Sequence, residues 1–74
     1  MKLLNKEQIA KEFGMSVGNV LKLVGLKKKE PMPYYKRTGN KFMRNGIKCE
    51  VPKSFGKAKW VFVYEDVDKW FKSR

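Results

Sequence analysis

The segment Leu4–Val24, LNKEQIAKEFGMSVGNVLKLV, determines how the rest of the chain can be interpreted. Asn5 and Gln8 have the spacing of a capping box, in which the first residue caps a helix and the second closes the cap. Gly14 follows the apolar residues of this helix, at a point where a residue with positive φ commonly ends one. The pattern predicts a short helix that begins at residue 6 and ends in a sharp turn.

A second helix is predicted directly after this turn, with Ser16 as its N-cap. The apolar residues Val17, Val20, Leu21 and Val24 have the i, i+3, i+4, i+7 spacing of one helical face. We expect this stripe to pack against the first helix. Two short helices joined by a glycine-containing turn are typical of a helix-turn-helix.

The outer face of the second helix carries the residue types that read DNA bases. With the apolar stripe turned inward, Ser16, Gly18, Asn19 and Lys22 point outward near the start of the helix. Asn can form two hydrogen bonds with adenine, Lys can bind guanine or phosphate, and a glycine permits close approach of the backbone. These four residues are the predicted base-reading residues. The alternative is an αα-hairpin of a small core, with a solvated polar face.

The formal net charge is +11, and most of it lies in one part of the chain. Between residues 27 and 59 there are eleven Lys or Arg residues against two Glu residues. This asymmetry predicts a polyanionic partner, nucleic acid first and an anionic membrane surface second. A basic surface that serves only solubility is the alternative, although solubility is normally reached with mixed charges. The predicted backbone contacts are Lys27, Lys28, Lys36, Arg37, Lys41, Arg44, Lys48, Lys53, Lys57 and Lys59.

The length of 74 residues predicts a single domain spanning residues 1–74, too small for a catalytic cleft between two lobes. The chain has no histidine, and Cys49 is its one cysteine. A zinc or haem site, a histidine-based triad and an intrachain disulfide are therefore not expected. We predict a protein that is not an enzyme and uses neither a cofactor nor a metal. No apolar run is long enough to cross a membrane and no signal peptide is evident, so the expected location is the cytoplasm.

The clearest strand pattern is Lys59–Tyr64, KWVFVY, which is rich in β-branched and aromatic residues. Trp60 and Phe62 share one face with the tyrosine, while Val61 and Val63 occupy the other, so both faces should be covered. A partner strand is predicted at residues 34–37, after two prolines that favour extended backbone.

The last predicted element is a helix from Glu65 to about Lys72, with acidic residues in its first turn and lysines towards its end. Val67, Trp70 and Phe71 lie at i, i+3 and i+4, the spacing of one apolar edge. We expect this edge to close the core against the first helix and the strand.

Between the two predicted strands lies an insertion, residues 38–58. Asn45-Gly46 is flanked by two short strand-like stretches, a strong signal for a two-residue β-hairpin turn. We expect an enlarged wing of two to four short strands, with Ile47 or Val51 covering the valine face of the main strand. A disordered basic loop is the alternative.

The order of these elements resembles that of the excisionase-like, MerR-related winged helix-turn-helix family of small bacterial and phage DNA-binding proteins. Three segments carry the resemblance: IAKEFGMSVGNVLKLV at 9–24, the Met32-Pro33 entry to the first wing strand, and WVFVYEDVDKWF at 60–71. It implies a small α+β winged helix-turn-helix with two N-terminal helices, an enlarged basic β-wing and a short C-terminal helix. The chain departs from the family in its insertion, because family wings are usually tight hairpins.

The resemblance implies a non-catalytic excisionase of a phage or mobile element, an architectural factor that bends double-stranded DNA and directs a recombinase or integrase. The second helix would enter the major groove, while the basic wing would hold the backbone or the adjacent minor groove. A small transcriptional regulator of a mobile element is the first alternative. No sustained heptad follows Trp70, so we expect a monomer in solution that binds DNA cooperatively, with no membrane partner.

Two further functions remain open from the sequence. One is a phage packaging or replication accessory protein that binds single-stranded DNA by stacking its bases on Tyr34, Tyr35 and Phe42. The other is a protein-interaction module, which the charge disfavours because interface cores are depleted in lysine.

Overall fold

The chain folds around a single strand whose two faces are covered by different parts of the molecule. A computed structural model describes residues 1–25 and 29–73. In chain order its elements are β1 (Leu3–Leu4), α1 (Lys6–Glu12), α2 (Val17–Leu23), β2 (Tyr35–Lys36), β3 (Lys41–Arg44), β4 (Ile47–Glu50), a 3₁₀ turn (Lys53–Phe55), β5 (Trp60–Val63) and α3 (Tyr64–Lys72). This is a small α+β domain with antiparallel sheets, and its architecture is winged-helix-like, as predicted.

The central sheet has the order β1-β5-β2, and both neighbours run antiparallel to β5. Tyr35 lies opposite Val61 and Lys36 opposite Trp60, so β2 and β5 are the two wing strands. Successive side chains of a strand point to opposite faces of its sheet. Phe62 therefore faces the helices, and Val61 and Val63 face the insertion on the other side of the sheet.

The helices cover the aromatic face of β5. Ile9 from α1, Val20 from α2 and Val67 from α3 are fully buried in one cluster with Phe62 and Met32. The ring of Phe13 lies 5.0 Å from that of Phe71 and 5.5 Å from that of Tyr64, measured between ring centroids. The prediction that α3 closes the core against the first helix is confirmed.

The local signals of the helix-turn-helix also have the predicted geometry. Asn5 and Gln8 form a reciprocal capping box, with bonds of 2.8 and 2.9 Å between each side chain and the other residue's backbone N–H. Gly14 has a φ of +65°, in the left-handed region that favours glycine, and the chain turns there into α2.

One residue of the stripe predicted for α2 is assigned wrongly: Leu21 is 41% exposed, while Leu23 packs against the core. Leu21 lies at the edge of the buried face and instead lines a hollow with residues at the start of α1 and of β5.

The insertion forms a second layer over the valine face of β5. β3 and β4 pair as an antiparallel hairpin, here called the inserted hairpin, and its turn residues Asn45 and Gly46 have φ values of +54° and +79°. These values fit the two-residue turn that the sequence predicted, and the segment is ordered into strands rather than a structureless loop. Phe42 and Val51 are buried against Val61 and Val63. Val51 is thus the covering residue, whereas Ile47, the other candidate, is 66% exposed near the hairpin turn.

Candidate nucleic-acid interface

The outer face of α2 carries all four predicted base-reading residues. Ser16, Gly18, Asn19 and Lys22 are exposed, and we call them the recognition arc. The Ser16 hydroxyl accepts a hydrogen bond from the backbone N–H of Asn19 at 3.1 Å and so caps the helix. The Ser16 side chain therefore has a structural role as the N-cap of α2, in addition to its predicted base-reading role.

Gly18 has no structural requirement for glycine in the described part of the chain. A Cβ atom built on it would meet only the Ser16 Oγ, at 3.9 Å, which is an ordinary contact, and its backbone is not in the left-handed region. Gly18 lies in the first turn of α2, where a side chain would have room, so no contact among the described residues requires glycine there.

A hollow of about 300 Å³ lies between α2 and the start of β5, residues 58–60, which we call the wing base. It is lined by Leu21 from α2, by Lys59 and Trp60 at the start of β5, and by residues 5–7 at the start of α1. Leu21 faces this hollow, which leaves its side chain exposed. The hollow places Lys59 on the same side of the molecule as the helix that carries the recognition arc.

A second hollow, of about 510 Å³, lies at the β2 edge of the sheet. Three lysines line it, Lys36, Lys41 and Lys48, and no carboxylate does. Tyr34 also lines it, and its ring centroid lies 4.8 Å from that of Trp60, which lines the first hollow. The tyrosine and tryptophan rings thus connect the two hollows around the start of β5.

Arg44, one of the predicted backbone contacts, is used inside the protein. It donates two hydrogen bonds to Asp66, from Nη2 to Oδ1 at 2.7 Å and from Nε to Oδ2 at 3.0 Å, and the Tyr35 hydroxyl donates to Oδ2 at 2.7 Å. The Arg44 hydrogen bonds hold the pKa of the Asp66 carboxyl below its ordinary value, whereas burial and the nearby carboxylate raise the pKa of Tyr35. This partly buried pair joins the inserted hairpin to α3. Arg44 is therefore reassigned from phosphate binding to a structural role.

Arg37, a second predicted backbone contact, also has internal partners. Its Nε donates to the carbonyl of Gly39 at 2.7 Å, and its Nη1 donates to the carbonyls of Gly56 and Ala58 at 2.7 and 3.3 Å. These bonds tie together the two ends of the insertion. The internal partners of both arginines are distant in the sequence, and no local pattern predicts these contacts.

The remaining predicted backbone contacts are lysines on the surface. The exposed ones are Lys36, Lys41, Lys48, Lys53, Lys57 and Lys59, while Lys27 and Lys28 lie outside the described residues. Among residues 1–25 and 29–73, the ion pairs involve Lys2, Arg44 and Lys72 and none of these six lysines. The six ammonium groups are available to an external anion.

The predicted aromatic platform for single-stranded DNA is not assembled as expected. Phe42 is only 3% exposed and packs under the hairpin, and the Tyr35 hydroxyl is bonded to Asp66. Base stacking requires an open ring face. Of the three predicted aromatic residues, Tyr34 retains partial exposure without being tied to Asp66, although its ring contacts Trp60.

Comparisons of the chain with protein-family models, with curated proteins and with solved structures find no match. No helix in the described residues is long and apolar enough to cross a membrane. The function is therefore inferred from the residues and geometry of this chain.

Proposed function

We propose that the protein is a non-catalytic, double-stranded-DNA-binding protein of the winged helix-turn-helix type. The observation that carries the proposal is that the recognition arc is exposed on α2, while Leu21 of the same helix lines one hollow with Lys59 at the start of β5. Helix-turn-helix proteins place the start of their second helix against base edges in the major groove, while basic residues nearby hold the phosphates. Asn19 and Lys22 are the proposed base-reading side chains.

Gly18 supports the proposal independently of charge. A glycine that no contact of the described residues requires lies beside Asn19 and near the Ser16 hydroxyl, on the exposed side of α2. A helix that enters a groove benefits from a position without a side chain, because the backbone can then approach the bases. We infer that Gly18 permits this close approach.

The backbone contacts on the α2 side are assigned to Lys36 and Lys59, which we call the basal lysines. Lys36 lies opposite Trp60 in the β2–β5 pair, and Lys59 precedes Trp60 in the chain. Both are exposed and adjoin the hollows that flank the wing base. In this arrangement the recognition arc specifies sequence, and the basal lysines contribute affinity without specificity.

The proposal is tested by comparing the binding of a selected duplex site, a random duplex and single-stranded DNA at one salt concentration. Asn19→Ala and Lys22→Ala should weaken binding to the selected site by roughly 1–3 kcal/mol more than binding to the random duplex. Lys11→Ala is the matched control for Lys22→Ala, because it removes the same charge from an exposed position of α1. Equal losses on both duplexes would remove α2 from the base-reading role, and a preference for single strands would reject the proposal.

Within DNA-binding proteins, we propose an excisionase-type architectural role, with a bacterial or phage-infected cytoplasm as its location. A basic chain of this kind can act through the geometry it imposes on DNA. Bending a site of 20–30 bp by 40–90° costs about 1–6 kcal/mol by elastic estimates, which contacts from several adjacent copies can offset. We propose that the protein is a monomer in solution and binds cooperatively at repeated sites.

This architectural role predicts three measurable properties. Several copies should bind one attachment-site arm cooperatively, bend it in a circular-permutation gel, and stimulate excision by a partner integrase. A transcriptional regulator of a mobile element should instead occupy a promoter, repress it and leave recombination unchanged. Straight DNA together with promoter repression would favour the regulator over the excisionase.

A further inference from the structure

Leu21 is an apolar side chain that the core leaves exposed on α2. Among residues 1–25 and 29–73, the exposed large hydrophobic residues are Met1, Leu21, Met43 and Ile47, and Leu21 is the one that lies in a helix. Val20, directly before it, is fully buried. The fold thus uses the valine for its core and leaves the leucine available for an external contact.

Leu21 adjoins the recognition arc. It follows Gly18 by three residues and directly precedes Lys22. Residues three apart in a helix are neighbours on its surface. The space over Gly18 is open, since a Cβ atom built there would meet only the Ser16 hydroxyl. A base edge that approaches the backbone at Gly18 therefore also comes close to the Leu21 side chain.

The hollow that Leu21 faces has side chains that suit one strand of a duplex. Lys6 and Lys59 line it together with one carboxylate, Glu7, and both lysines are exposed. Neither lysine forms an ion pair with another described residue. Their ammonium groups can bind the phosphates of a DNA strand. A strand held in this way would present the outer edge of its bases to Leu21.

The pyrimidine group nearest to its own backbone in the major groove is the one at C5. Thymine carries a methyl group there, whereas cytosine carries a hydrogen atom. The polar side chains of Asn19 and Lys22 can form hydrogen bonds with bases, but a methyl group offers them no partner. An aliphatic side chain is the chemical complement of this methyl group, and apolar contact is one of the ways in which proteins distinguish thymine.

We propose that Leu21 is a third base-reading side chain, which recognises the 5-methyl group of a thymine in the strand held by Lys6 and Lys59. This inference rests on the proposed DNA-binding function and deepens it by naming a specificity determinant and its target group. It accounts for an exposed leucine beside the recognition arc. It also predicts that the selected motif contains an A·T pair whose thymine lies on this strand.

The test replaces thymine by uracil, one position at a time, in a duplex that carries one selected site. Uracil lacks the 5-methyl group and keeps the hydrogen-bonding groups of thymine. At one or more positions the wild type should bind roughly four-fold more weakly, the effect of about one buried methyl group. Leu21→Ala should bind the thymine duplex more weakly than the wild type and should lose the sensitivity to uracil at these positions.

Two further variants serve as controls. Leu21→Met retains an apolar side chain and should retain sensitivity to uracil. Ile47→Ala removes an exposed aliphatic side chain from the inserted hairpin and should show the sensitivity of the wild type. Circular dichroism should show the same fold for all variants, and the uracil scan of the wild type is informative without any of them.

Two results would overturn the inference and leave the proposed function intact. Wild-type binding that no uracil substitution weakens would show that the protein reads no thymine methyl group. Equal sensitivity to uracil in the wild type and in Leu21→Ala would assign the methyl contact to another residue. Failure of the wild type to prefer the selected duplex over a random duplex would instead reject the proposed function.

Discussion

The helix-turn-helix and the inserted hairpin pack on opposite faces of the same strand, but different interactions hold them there. The helical side is a broad apolar core in which Ile9, Val20, Phe62 and Met32 are fully buried. The hairpin side buries fewer apolar residues and adds polar ties from Arg44 to α3. The comparison indicates that the helical side defines the fold, whereas the hairpin is an attached layer that depends on specific polar contacts.

The largest expected difference between the two sides comes from removing one phenylalanine from each. Phe→Ala in a core typically costs about 3–5 kcal/mol, comparable with the roughly 4–11 kcal/mol that stabilises a domain of this length. Phe62→Ala should lower the global free energy of unfolding by about this amount, so that hydrogen-exchange protection falls in every element. Phe42→Ala should remove hydrogen-exchange protection from β3 and β4 while α1, α2 and α3 stay protected.

Hydrogen exchange measured residue by residue distinguishes these outcomes. Phe42→Leu serves as the control, because it retains most of the buried volume and should keep the hairpin protected. Uniform loss of protection in Phe42→Ala would show that both layers unfold as one unit, and the comparison would then be wrong.

A smaller effect is expected from breaking the polar tie. Asp66→Asn should destabilise the protein by about 1.5–3 kcal/mol at neutral pH, because hydrogen bonds to charged groups contribute about that much. Asp68→Asn is the control. It breaks an i,i+4 pair with the exposed Lys72, which is worth only about 0.2–0.5 kcal/mol. Urea unfolding measures both, and equal losses would show that the Arg44–Asp66 pair does not hold the hairpin.

The sign of the pH dependence follows from the direction of the pKa shift. The pKa of Asp66 is lowered from its ordinary value of 3.8, so the pair stabilises the folded state above that pH. Its contribution is lost as the pH falls through the lower, folded-state pKa. The stability difference between wild type and Asp66→Asn should therefore shrink in strong acid and stay constant between pH 5 and 7.

The smallest predicted effect concerns the basal lysines, on the helical side of the comparison. Replacing Lys36 and Lys59 by Gln should reduce the slope of log K against log salt by up to ~0.9 for each lost phosphate contact on the selected duplex. Lys11→Gln with Lys69→Gln removes the same charge elsewhere and should leave the slope unchanged. The same slope in both variants would place the phosphate contacts away from the wing base.

The parts of the fold that were predictable are those encoded over a few residues. The capping box at Asn5 and Gln8, the turn at Gly14 and the Asn45-Gly46 hairpin each follow from local backbone preferences. The alternation in β5 was equally informative, because a strand with two apolar faces needs a cover on each side. These local signals were sufficient for the class of fold and the order of its elements.

The parts that were missed depend on residues far apart in the chain. Arg44 reaches Asp66 across 22 positions, and Arg37 reaches the carbonyl of Gly56 across 19. Residue type alone cannot distinguish a lysine or arginine that binds phosphate from one that binds the protein itself. The exposure of Leu21 was missed for a related reason, since a helical stripe does not reveal where its edge meets another element.

The central claim, that α2 reads bases in duplex DNA, is tested most directly by selecting binding sites from a random duplex library. Wild-type protein should enrich a defined motif, and Asn19→Ala with Lys22→Ala should enrich no motif or a different one, while keeping its circular dichroism spectrum. Lys11→Ala should recover the wild-type motif. Enrichment of the same motif by the α2 double variant, or of no motif by the wild type, would contradict the claim.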